Sequence, residues 1–182
     1  DPLRRAALRL QLTHVLRTSW ELKASIECAR LGLAELDRAL PDNPVLFGLA
    51  TAGATIRWLI RGSRPPSSRP AEGEEAERLR LVVLLCRAAS AAAAINLQHG
   101  QLVAFNVLPS RDAHRLGPTV AYTENLAGVG SVAGSMGLRR RRDRIFQQAY
   151  RIAEDLGDPK AYANIVWFEA FAKVMGKDLS MA

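Results

Sequence analysis

Residues 125–176 read NLAGVGSVAGSMG, then LRRRRDRIFQQAYRIAEDLG, then DPKAYANIVWFEAFAKVMG, and this stretch decides the fold. A small-residue helix is predicted to end at Gly137. A basic amphipathic helix follows and ends near Leu156-Gly157-Asp158-Pro159, where glycine supplies a left-handed residue and proline cannot continue the helix. A third helix is predicted to end at Gly176. The pattern is a helical hairpin followed by the first helix of another.

Outward from this stretch the rest of the chain reads the same way. The segment LRRAALRLQLTHVLR places Leu8, Leu12 and Val15 on one helical face. Thr18 or Ser19 can cap a second helix over 20–39, stopped by Pro41-Asp42-Asn43-Pro44. Residues 44–61 (PVLFGLATAGATIRWLIR) are apolar almost all round, which predicts a helix buried on several sides. Two threonines, two glycines and Arg57 argue against membrane insertion. Residues 62–75 are rich in Gly, Ser, Pro and charge, a flexible loop or linker. Residues 75–98 predict an Ala-rich helix ending at His99-Gly100, with His99 as a favourable cation at that end. Shorter pieces follow to Gly117-Pro118, then the helix 119–136. About eight helices and no strand are expected: an all-α chain with an N-terminal hairpin and buried helix over 1–61, and helical repeats over 76–182.

The bulk numbers suit that class. Hydrophobic residues are 48% and aromatics only 6%, so Leu, Ala, Val and Ile must fill the core. The net charge is +7, mostly from arginine, and an acidic partner, nucleic acid, anionic lipid or a GC-rich genome would each produce it. Cys28 and Cys86 lie within apolar helical patterns and are expected to be buried free thiols, which suits a reducing, cytoplasmic setting. The chain starts at Asp1 and stops shortly after Gly176, so it reads as a piece of a longer protein.

Gly100, Gly137 and Gly176 are 37 and 39 residues apart, a step that fits an α-solenoid of antiparallel hairpins. Residues 123–150 resemble a tetratricopeptide repeat: Leu126, Val129, Gly130, Ala133 and Gly137 match the first helix, and Phe146 and Ala149 the second. The run AEDLGDPKAYANIV resembles the longer helical repeats of large bacterial signalling proteins, in which an ATPase module is joined to a helical array. GKDLSMA looks like the start of a further helix. The resemblance implies a non-catalytic interaction or sensor domain whose partner is a protein, a peptide or another domain of the parent chain. It also implies a groove lined by Glu124, Ala127, Ser131 and Gly134 of one helix and Val166, Ala170 and Lys173 of the next. An irregular helical bundle is the rival fold.

Candidate chemistry is thin. His14, His99 and His114 lack metal-ligand spacing, and residues 128–137 mimic a dinucleotide loop without the strand that must precede one. No cofactor is expected. The run Arg139, Arg140, Arg141, Arg142 with Arg144 suits phosphate, although positive charge at a helix start opposes the macrodipole. A basic binder of nucleic acid or anionic surfaces, and an enzyme with a cavity in the Ala/Gly-rich middle, are the two rival functions.

Overall fold

The computed structural model describes residues 1–61 and 65–175. Among the described residues there are nine helices and no strand. They are α1 (Pro2–Thr18), α2 (Leu22–Glu35), α3 (Pro44–Arg61), α4 (Gly73–Ile95), α5 (His99–Val107), α6 (Ser110–Arg115), α7 (Val120–Ser135), α8 (Arg139–Leu156) and α9 (Pro159–Met175). The expected helix end at Gly176 and the segment GKDLSMA lie outside the described residues.

Side-chain caps start four helices. The carboxylate of Asp1 accepts the Leu3 and Arg4 amides, Asn43 those of Val45 and Leu46, and Asp158 those of Lys160 and Ala161. The Thr119 hydroxyl accepts the Tyr122 amide. Each removes a donor that a helix start would leave unpaired. Gly137 and Gly157, at φ 73° and 62°, end α7 and α8 in the left-handed conformation only glycine adopts freely.

Several expected boundaries move. Neither Thr18 nor Ser19 caps α2; the Thr18 hydroxyl donates back to the Val15 carbonyl, and the turn passes through Trp20 at φ 62°. α2 ends before Asp37, at φ 55°, well short of Pro41. α4 ends at Ile95, with Leu97 rather than Gly100 in the left-handed region. Gly100 therefore lies in the first turn of α5, and His99 opens that helix instead of closing α4. Of the three glycines that marked the repeat, Gly137 alone is a helix terminator among the described residues.

α1 and α2 run antiparallel, with Arg5 on Glu35 at 2.7 Å and the Ser25 hydroxyl on the Thr13 carbonyl at 2.9 Å. Their seam is made of small residues. A Cβ on Gly32 would sit 3.1 Å from that of Arg9. Close approach therefore buries Ala6 and Thr13, while the expected face of Leu8, Leu12 and Val15 is exposed. α4 carries both cores: Leu81, Val82, Leu85 and Cys86 pack with α1 and α2, while Leu79 and Val83 pack with α7 to α9. Both cysteines are buried free thiols.

α3 is not buried as its composition predicts. It rests mainly on α5, through Phe47 against Phe105, and among its described side chains buries only Ala54 and Trp58. In residues 65–72, the Ser67 and Ala71 amides donate to the His114 and Arg115 carbonyls, so this part of the expected linker lies along α6. α7 is the centre: every residue from 121 to 134 is buried. α8 packs on it antiparallel, with Phe146 against Gly130 and Arg142 against Gly134. α9 packs on it in parallel, pairing 124 with 164, 131 with 168 and 134 with 172, steps of 40, 37 and 38 residues.

Candidate functional site

The expected groove closes up. Glu124, Ala127, Ser131 and Gly134 are all buried against neighbouring helices. The Ser131 hydroxyl donates to the Phe168 carbonyl at 3.0 Å, and a Cβ on Gly134 would meet the Ala172 Cβ at 2.9 Å and its carbonyl oxygen at 3.0 Å. Small side chains on α7 bring α9 in rather than leaving room for a ligand. α9 buries Ala161, Ile165, Phe168 and Ala172 on α7. Val166, Ala170 and Lys173 are exposed on a different face from these, so they share no cleft with the α7 residues. Beside them Trp167, 55% exposed, stacks on Phe171 with ring centroids 5.7 Å apart. Lys173 pairs with Glu169 at 2.9 Å.

What α7 does hold is a polar ladder. Arg87 of α4 donates through Nη1 to Glu124 at 2.6 Å and through Nη2 to Asn164 of α9 at 2.8 Å; Asn164 donates to the same Glu124 oxygen at 3.1 Å. The other oxygen, Oε2, is buried with no hydrogen-bond partner. Burial raises the Glu124 pKa above the usual carboxylate value, and Arg87 only partly offsets it. Residues 87, 124 and 164, on α4, α7 and α9, are 37 and 40 apart. On α1, His14 has its pKa lowered by burial, with the nearby cations Arg17 and Arg87 adding to the effect. Sequence reading named Glu124 but missed Arg87 and Asn164.

The arginine run splits. Arg142 is buried, its Nε donating to Asp143 at 2.8 Å. Arg141 donates to the Leu59 carbonyl at 2.6 Å and lies over the Trp58 ring at 5.0 Å, which ties the end of α3 to α8. Neither belongs to a shared exposed cluster. Arg139, Arg140 and Arg144 are exposed and line an open groove of about 1180 Å³. Arg151, two turns further along α8, lines it too, and Pro65 and Pro66 also border it. Spacings of four and seven residues put Arg140, Arg144 and Arg151 on one face, a signal the reading of the run stopped short of. No aromatic ring lines this groove, and Asp155 is its one carboxylate among the described residues.

A second cavity, about 990 Å³, lies between α3, α4, α6 and the end of α2, and Tyr122, Asn125, Leu126 and Val129 of α7 line it too. At its edge Arg38 grips Asp112 through two bonds of 3.0 and 3.1 Å, which raises the Arg38 pKa and neutralises both charges.

No family model, curated protein or solved structure matches this chain.

Proposed function

We propose that the chain is a tetratricopeptide-like stack of helical hairpins that presents surface to a protein partner, or to other domains of its own parent chain, without chemistry of its own. The reading includes the bacterial, cytoplasmic, regulatory setting that the repeat resemblance implies. The observation that carries it is the Arg87, Glu124 and Asn164 ladder. Helices one repeat apart place equivalent positions side by side, and a step of 37 to 40 residues lies within the helix-pair range. In a stack, each hairpin covers the apolar face of the one before it, and α9 covers α7 in this manner.

The side chains that could act as nucleophiles have structural work. Ser131 bridges α7 and α9. Burial pushes the Cys86 thiol well above its ordinary value, so the reactive thiolate is suppressed. The outer face of α9, with Val166, Trp167, Ala170 and Val174 exposed, is the natural contact surface, since exposed aromatics favour interfaces.

A photo-crosslinking residue at Val166 tests this, with one at buried Ala127 as control. The reading expects a discrete protein adduct from Val166 in cells, lost when Trp167→Glu is added. Identical adducts from both positions, or none from either, would contradict it.

The α8 groove supports a second reading, an acidic or phosphate-bearing partner. Its arginines without interleaved aromatics suit backbone charge rather than stacked bases. The variant Arg140→Ser with Arg144→Ser then weakens duplex DNA binding and flattens its salt dependence. No binding at low salt in the parent chain would dismiss it.

A further inference from the structure

We infer that α3 is a surface-docking helix that lies along an anionic lipid bilayer. Its outer side carries Val45, Leu46, Leu49, Ile56 and Ile60, each between 55% and 79% exposed. From 45 to 60 that stripe runs about 22 Å at 1.5 Å per residue. Scattered exposed apolar side chains are ordinary, but a contiguous stripe on one helix marks a contact surface. Gly48 and Gly53 add no side chain to the stripe, and a Cβ at Gly48 would meet nothing within 4 Å.

Charge selects the occupant. Residues 43–71 contain no Asp or Glu, yet hold Arg57, Arg61, Arg64 and Arg69. At the far end Arg141 lies over the Trp58 ring at 5.0 Å, while Arg30, over the Phe47 ring at 5.6 Å, is already paired with Asp42 at 2.9 Å and adds no free charge. An apolar stripe flanked by cations with no carboxylate on the helix is the chemistry of a helix lying in an anionic interface. A second copy would bring the same positive stretch against itself, which like-charge repulsion opposes. Among the described residues no helix is long and apolar enough to cross a membrane, so the helix lies on the bilayer rather than through it.

The test is co-sedimentation of the full chain with phosphatidylcholine vesicles, with and without about a third phosphatidylglycerol. The inference predicts binding to the anionic vesicles, weakened by added salt and at least about tenfold weaker for Leu49→Glu with Ile56→Glu. Leu8→Glu with Val15→Glu, equally exposed on α1, should bind like the parent. Hydrogen exchange on the unaltered chain gives a readout free of folding effects: anionic vesicles should slow exchange in residues 44–61. No binding to anionic vesicles, or binding with no slowing there, overturns the inference. So does a dimer in solution that the α3 variant abolishes while vesicles are ignored, which would give the face to a second copy.

Discussion

Glu124 keeps one carboxylate oxygen to which no described residue bonds, and that has a pH signature. Its folded pKa is raised, so the unfolded chain gives up this proton first. Its contribution to stability is full below the ordinary value of 4.5 and is lost as pH rises through the folded pKa. His14 works the other way: its depressed pKa means stability held above 6.5 and lost as pH falls below it. The two trends overlap, so a difference measurement isolates Glu124. The melting temperature of Glu124→Gln relative to the parent should climb between pH 4.5 and 7.5; a flat or falling difference would contradict the burial argument. At Gly134, alanine gains about 1 kcal/mol in helix propensity. It also drives a methyl into the Ala172 backbone at 3.0 Å, an overpacking cost of about 1–3 kcal/mol. Urea titration should show Gly134→Ala no more stable than the parent and as much as about 2 kcal/mol less so. Sequence alone picked out Glu124 and Gly134 for the wrong duty. A small residue on a helix leaves room, and whether a ligand or a neighbouring helix takes that room depends on packing that spacing does not encode.

Helices as elements were legible where termination is local. Asp158-Pro159, Gly157 and Gly137 each act within a turn, and each ends or starts a helix where spacing predicts. Gly100 misled because Leu97 took the left-handed position three residues earlier. Which face is buried was far less legible. α1 has two apolar stripes, and the small-residue one faces α2; α3 is greasy all round but has only one substantial neighbour, α5. Phe146, by contrast, is buried against the preceding helix as expected. It is 2% exposed, with Cζ 3.0 Å from where a Gly130 Cβ would be. Phe146→Ala should cost about 3–5 kcal/mol by urea denaturation. α3 depends on different contacts. Arg141→Ala removes two carbonyl bonds and the Trp58 stacking, so it should loosen α3 by about 1–2 kcal/mol and leave α7 unaffected. Exchange in residues 44–61 rising roughly tenfold while 120–135 stays constant is the expected result.

At the scale of the molecule, α7 lies between α8 and α9, with α4 and α5 also against it, and α3 sits at the margin. The step that the glycines suggested in the sequence rests on Gly137 alone among the described residues, because Gly100 lies inside α5. The contact of Arg87, Glu124 and Asn164 was not legible, because three different residue types carry no common sequence signal. This arrangement ranks the elements by how much structure must open to expose their backbone. Hydrogen exchange of the intact chain tests that ranking most directly. The account predicts that amides of α7 exchange slowest, close to the global unfolding limit, and those of α3 fastest of the long helices. Exchange in α7 as fast as in α3 would contradict it.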